Sequence, residues 1–215
     1  MKRRLFATAI VGAALMLASL AIAADSDKVP SMPPDKALQE LLDGNARYVA
    51  GKPTHPNQRP TGEAQYPKAA ILCCADSRVS SQIIFDQGLG DLFVVRAAGN
   101  TYDRLLLQSI QYSIEHLGTR LIIVIGHDQC GAVAAAVKAY PKDSGPMLDN
   151  IYPAVKAVAD QPGDKVSNAI SENAILTAAR LRKEPVFAPM VKSGELKIVA
   201  ARYHFDSGKV ELLAQ

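Results

Sequence analysis

The sequence predicts an α/β protein in which a mostly parallel central β-sheet is flanked by helices and carries an antiparallel strand at one edge. Short apolar runs, each long enough for one strand, alternate along the chain with segments of helical periodicity. Strands that alternate with helices are joined by crossovers, which favour a parallel sheet. The exception is the last pair, because Asp206-Ser207-Gly208-Lys209 is typical of a hairpin turn. The predicted strands are 69–72, 92–96, 121–125, 196–203 and 210–213.

The predicted helices follow from apolar spacing and from the residues that begin or end each segment. A first amphipathic helix covers 35–49, with Asp35 as its N-cap. Gly and Pro residues make 50–68 a loop that leads Gln65 to the first strand and leaves His55 solvated. A helix beginning at Thr101 buries Leu105, Leu106, Ser109, Ile110, Ser113, Ile114 and Leu117 and ends before Gly118.

The second half of the chain predicts three further helices, at 132–139, at about 147–159 and at 165–182. The first of these begins beside Cys130, and the positive end of its dipole favours a thiolate there. In the last, Arg180 and Arg182 are expected to face water. His116 is expected in the last turn of its helix and His204 at the hairpin turn, both in structural roles.

The amino-terminal segment predicts a secretory signal peptide. Lys2, Arg3 and Arg4 precede the apolar run 5–21, and small residues stand just before the polar residues at 25–27. A retained membrane anchor is the alternative, but the run is short for one and ends in an Ala-x-Ala pattern. Cleavage after Ala23 or Ala24 would make the protein periplasmic or secreted.

The length and composition of residues 25–215 predict a single domain. The chain of 215 residues is 48% hydrophobic and has no low-complexity linker that would divide it. Residues 1–24 hold three of the 24 basic residues and none of the 21 acidic ones, so the mature chain is formally neutral. Neither a nucleic acid nor an anionic membrane is therefore expected as a partner.

Two short motifs at strand ends predict a metal centre. Cys74, Asp76 and Arg78 follow the strand at 69–72, whereas His127 and Cys130 follow the strand at 121–125. Ligands of α/β sheets collect beyond the carboxyl ends of the strands, which brings both motifs to one edge. Two thiolates and one imidazole suit a tetrahedral Zn²⁺, and three protein ligands leave a fourth position for water or substrate.

The neighbours of these ligands have two interpretations each. Asp76 is either a fourth ligand that closes the zinc or an orienter of the bound water, with Arg78 holding its carboxylate away. A plain surface ion pair is the structural alternative. Strand alternation turns Cys73 to the face opposite Cys74, where we expect a small buried core residue rather than a reactive thiol.

The segments Cys-x-Asp-x-Arg at 74–78, His-x-x-Cys at 127–130 and Val94 to Asn100 together resemble the β-class carbonic anhydrases, and the resemblance covers about residues 35–213. It implies the β-carbonic anhydrase fold, one Zn²⁺ per chain, and reversible hydration of carbon dioxide to bicarbonate and a proton, with zinc-bound hydroxide as the nucleophile. It also implies a lyase that forms a homodimer or a dimer of dimers.

The spacing from Cys74 resembles that of plant-type members of this class, which implies a substrate pocket. Gln65 resembles the family's substrate-binding glutamine, and Gly131 resembles the glycine beside the metal. Phe93, Ala98 and Tyr112 resemble the apolar pocket wall, to which family dimers contribute residues from both subunits.

Two alternative functions remain open. Related folds with the same three ligands hydrolyse CS2 or COS. A non-enzymatic zinc-binding or redox dithiol protein is the other class, although neither storage nor thiol exchange needs the Asp76-Arg78 pair.

Overall fold

The computed structural model of the chain describes residues 30–54, 64–139 and 145–213, and these build one five-stranded sheet. The strands in chain order are β1 Ala69–Cys73, β2 Leu92–Arg96, β3 Leu121–His127, β4 Lys197–Tyr203 and β5 Val210–Leu212. Their order across the sheet is β2-β1-β3-β4-β5. All neighbours are parallel except β4 and β5, which are antiparallel. The predicted fold class is confirmed, including the antiparallel edge.

The helices lie close to their predicted bounds. They are α1 Pro34–Val49, α2 Ser81–Ile84, α3 Arg104–His116, α4 Gly131–Ala139, α5 Pro146–Ala157, α6 Lys165–Lys183 and α7 Ala188–Ser193. A 3₁₀ turn, Ala98–Asn100, follows β2. The sequence did not predict α2 and α7, because one or two turns are too short to show a helical period.

Three details of the helix predictions are wrong. Pro33 occupies the N-cap of α1, and Asp35 lies inside the first turn, where its carboxylate accepts a hydrogen bond from Lys197 Nζ at 2.6 Å. Leu105 is 69% exposed, whereas the residues that α3 buries are Ile110, Ser113 and Ile114. Arg182 is half-buried and donates to the Ile198 carbonyl from Nε at 3.0 Å and from Nη2 at 2.8 Å, whereas Arg180 is exposed as expected.

The two faces of the sheet carry separate apolar cores. Ile71 and Cys73 pack with α1 on one face, whereas Ala70 and Leu72 pack with α3 and α6 on the other. A third apolar cluster lies beyond the carboxyl ends of β1 and β3 and contains residues of α4, α5 and α6. Cys74 belongs to this third cluster, so the two adjacent cysteines point into different environments, as strand alternation predicts.

Candidate metal centre

Two thiols and one imidazole converge at the carboxyl ends of β1 and β3. The Cys74 and Cys130 sulfurs and a ring nitrogen of His127 all lie within 4.8 Å of one another, and all three residues are buried. The parallel register, which pairs Cys73 with Ile125, brings the two strand ends side by side. The sequence therefore predicted correctly which three residues meet.

His127 presents a free ring nitrogen to this group. Its Nδ1 lies 2.8 Å from the Asp128 carbonyl oxygen, which can only accept, so Nδ1 carries the proton. Its Nε2 is fully buried and has no hydrogen-bond partner among the described residues. Because an unpaired buried polar atom is costly, Nε2 fits a metal ligand whose tautomer is fixed from the other side of the ring.

The two sulfurs differ in proton affinity. A hydrogen bond from the Cys130 thiol lowers the pKa of Cys74 to about 3, and the same contact, together with burial, raises the pKa of Cys130. The amides of Val133 and Ala132 at the start of α4 act on Cys130 in the opposite, expected direction, because their hydrogen bonds lower the pKa of its thiol. Soft sulfur ligands beside an imidazole are the donor set that Zn²⁺ prefers.

The 3₁₀ turn supports the Cys74 sulfur. The Gly99 amide donates to Cys74 Sγ at 3.2 Å, and the Gly99 carbonyl accepts from the buried Asn173 amide at 2.8 Å. Gly99 has φ +69°, and a Cβ there would lie 2.6 Å from Ile151 Cδ1. Only glycine therefore allows the turn to approach both the sulfur and α5 so closely.

Arg78 holds the Asp76 carboxylate in a two-pronged contact. Arg78 Nε lies 2.9 Å from Asp76 Oδ1, and Nη2 lies 2.8 Å from Oδ2. These hydrogen bonds hold the pKa of Asp76 well below its usual range. Asp76 Oδ2 is also 4.0 Å from His127 Nε2, so the carboxylate lies beside the proposed ligands but is engaged by Arg78.

The residues predicted to form the substrate pocket lie in three places. Ala98 and Gly131 are next in sequence to Gly99 and Cys130, so their backbones adjoin the metal centre. Phe93 and Tyr112 pack together with ring centroids 6.3 Å apart, on β2 and α3. Gln65 is exposed and precedes the amino end of β1, whereas Cys74 follows its carboxyl end. The single chain therefore does not bring all five to one place.

Sequence reasoning missed further groups around the centre. Arg96 donates to the carbonyl oxygens of Cys74 at 3.1 Å and Asp76 at 2.6 Å, which fixes the loop between them. Phe205 stacks against the His127 ring. Neither contact has a local signal in the sequence. The predicted exposure of His55 falls outside the described residues.

We expect Cys73→Ser to retain both metal and activity. Cys73 is fully buried on the other face of β1, where burial raises the pKa of its thiol and Ser81 Oγ lies 3.5 Å from its sulfur. A hydroxyl at this apolar position should lower the free energy of unfolding by about 1 to 3 kcal/mol. Elemental analysis and denaturant unfolding measure the two effects. Loss of the metal in this variant would mean that the wrong cysteine had been assigned as a ligand.

Comparison with known proteins identifies the family. The family model described as carbonic anhydrase matches residues 69–210. A carbonic anhydrase of Mycolicibacterium smegmatis is 37% identical over 196 residues, which cover 86% of this chain and 95% of the relative. Carbonic anhydrase 2 of Mycobacterium tuberculosis is 38% identical over 196 residues, which again cover 86% of this chain and 95% of the relative.

Solved structures show the same fold. Tetrameric β-carbonic anhydrases of Sordaria macrospora superpose with a TM-score of 0.65 at 22% identity, covering 84% of this chain and 90% of the other. A Coccomyxa β-carbonic anhydrase in complex with acetazolamide superposes with a TM-score of 0.64 at 22% identity, covering 84% of this chain and 83% of the other. The family match, the mycobacterial relatives and the shared fold show that this chain belongs to the β-class carbonic anhydrases.

Proposed function

We propose that the chain catalyses the reversible hydration of carbon dioxide to bicarbonate and a proton, with one zinc ion held by Cys74, His127 and Cys130. The observation that carries this proposal is the buried Nε2 of His127, which has no hydrogen-bond partner within residues 30–54, 64–139 and 145–213 and lies beside two thiols. A zinc ion bound by three protein ligands is a Lewis acid that makes water a nucleophile at accessible pH. Carbon dioxide, with its electrophilic carbon, suits such a nucleophile.

Asp76 and Arg78 have distinct roles in this proposal. Arg78 keeps the Asp76 carboxylate turned toward itself, which leaves one position at the metal for the reacting groups. The carboxylate remains a hydrogen-bond acceptor beside that position, where it would orient a water molecule that donates a hydrogen bond to it.

The decisive experiment combines metal analysis with gas hydration. Purified protein should contain one zinc per chain and accelerate CO2 hydration in a stopped-flow assay, and the chelator-treated protein should not. Headspace assays with COS and CS2 run in parallel. Zinc-loaded protein that is inert toward CO2 but consumes either sulfur gas would identify a different substrate, and inertness toward all three gases would favour a zinc-binding protein.

We infer that a second copy of the chain completes the pocket. Gln65 lies beyond the opposite end of β1 from Cys74, so it reaches a metal centre most directly when it belongs to another subunit. Strand β2 lies at a sheet edge, and four of its five residues, 92–95, are apolar. Tyr112 on the adjacent helix α3 is 47% exposed. An uncovered apolar edge of this kind favours association, and a homodimer or dimer of dimers would cover it.

Complementation between inactive variants tests this shared pocket. Gln65→Ala and His127→Ala should each be inactive alone, but their co-expression should restore about a quarter of wild-type activity. The reason is that half of the dimers are mixed, and each mixed dimer has one intact site. Light scattering reports the oligomeric state. No restoration in mixed dimers would show that Gln65 does not act across subunits.

We further propose that the protein is exported and that residues 1–24 are removed. Residues 1–29 lie outside the described part of the chain. Among the described residues, no helix is long and apolar enough to cross a membrane. Amino-terminal sequencing of protein from a secreting host should show a start at Ala24 or Asp25. An intact Met1 on the cell-associated protein would contradict export with cleavage.

A further inference from the structure

Phe205 contacts both the proposed metal ligand His127 and the arginine that holds Asp76. Its ring stacks against the His127 imidazole, with centroids 5.3 Å apart and planes 28° apart. The Arg78 guanidinium carbon lies 4.4 Å from the centroid of the same ring. A third aromatic group, Tyr203, packs edge-on at 5.5 Å. One half-buried side chain thus contacts two parts of the centre that come from different strands.

The Asp128 residue fixes this ring relative to the imidazole. Its carbonyl oxygen accepts from His127 Nδ1 at 2.8 Å, and its carboxylate Oδ2 accepts from the Phe205 amide at 3.2 Å. Its other oxygen, Oδ1, accepts from Arg202 Nε at 2.7 Å. The carbonyl of Asp128 thus positions the imidazole, and its carboxylate positions the backbone that carries the Phe205 ring.

Arg202 ties the same unit to helix α6. Its Nη1 donates to the Ser167 carbonyl and to Ser171 Oγ, both at 3.1 Å, and its Nη2 donates to Ser167 Oγ at 3.0 Å. Asp128 and the Phe205 amide that donates to it are therefore tied through Arg202 to helix α6.

Arg78 needs an external support of this kind. Its side chain is 50% exposed, and apart from Asp76 its hydrogen-bond partner is Gln129 Oε1 at 3.5 Å, the limit for such a contact. A long exposed arginine has many rotamers, and only one places both nitrogens on the Asp76 carboxylate. The attraction of a guanidinium to an aromatic face favours that rotamer.

We propose that Phe205, whose ring lies against the His127 imidazole, is a positioning residue that holds Arg78 in the orientation that engages Asp76. The proposal rests on the proposed function only in taking Cys74, His127 and Cys130 as metal ligands. Without the ring, Arg78 spends more time in solvent, and the released Asp76 carboxylate competes for the open position at the metal. Phe205 does not touch the reacting atoms.

The test measures access to the metal without any turnover. Cobalt(II)-substituted protein is titrated with azide, and the visible spectrum reports occupation of the open position. Phe205→Leu should retain one metal ion per chain but bind azide about two- to fivefold more weakly, the factor expected for one exposed cation–π contact. Phe205→Tyr keeps an aromatic face and should bind azide as the wild type does.

A matched control separates positioning from loss of stability. Phe187 is fully buried in the core formed with α3 and α6, and the same substitution, Phe187→Leu, should lower stability without changing azide affinity. In an Arg78→Ala background, Phe205→Leu should cause no further loss, because the group through which it acts is gone. Equal losses in Phe187→Leu, or wild-type azide affinity in Phe205→Leu, would overturn the proposal. A wild-type protein inert toward CO2 would overturn the proposed function instead.

Discussion

Replacing His127 with alanine should abolish metal binding and CO2 hydration together. The residue supplies one of three proposed ligands from a fully buried position, and its loss lets water compete for the metal. We expect zinc affinity to fall by at least about 100-fold, more than the usual effect of changing a group behind a ligand. Cys74→Ser and Cys130→Ser should behave in the same way. Elemental analysis of the purified variants and stopped-flow hydration measure the two losses.

A second histidine provides the control for this prediction. His116 lies in the last turn of α3, with its ring 5.0 Å from that of Tyr112 and outside the group of converging ligands. His116→Ala should keep one zinc per chain and most of the activity. Full zinc retention in His127→Ala, or in either serine variant, would contradict the ligand assignment.

Arg78→Ala should keep its zinc and lose nearly all turnover. With the guanidinium removed, the Asp76 carboxylate has lost its two-pronged partner while its Oδ2 lies 4.0 Å from His127 Nε2, within a side-chain rotation of the metal. An anionic oxygen at the fourth position would exclude the reacting water. We expect activity to fall by about 100-fold or more, as for loss of a group that keeps a reaction site open.

Two further variants make the interpretation specific. Asp76→Asn removes the charge that competes for the metal, so it should keep zinc and some activity with a changed pH profile. Arg78→Lys retains a positive charge but lacks the planar fork, so its activity should fall between the wild type and Arg78→Ala. The crystal structure of Arg78→Ala should show Asp76 on the metal. Near-normal hydration with the carboxylate still turned away would reduce the pair to a surface ion pair.

The sheet and the convergence of Cys74, His127 and Cys130 could be predicted from the sequence because both depend on short-range patterns. Apolar runs define β1 and β3, and polar residues directly after each run mark the carboxyl ends. Parallel topology then places the ends of adjacent strands together, which brings Cys74 to His127 and Cys130. Strand alternation likewise separated Cys73 from Cys74 correctly.

What the sequence could not predict depends on contacts between distant segments. The helical period does not show that Leu105 on α3 is exposed, nor that Arg182 is half-buried where it meets the Ile198 carbonyl. Phe205 stands in a polar turn whose pattern indicates only a hairpin, and its contact with Arg78 joins the ends of β4 and β1, which have β3 between them. Periodicity carries no information about such pairs.

The position of the ligands in the strand order also affects when a metal can act during folding. Strands β1 and β3 are neighbours in the sheet, although β2 and α3 lie between them in the chain. Parallel strands so far apart in sequence lose loop-closure entropy before their contacts form, so they pair late and slowly. The unfolded chain therefore offers no preformed site on which a metal could nucleate structure. A bound ion stabilises only the finished fold and should slow its unfolding far more than it speeds its folding, so that metal supply sets the lifetime of the native protein.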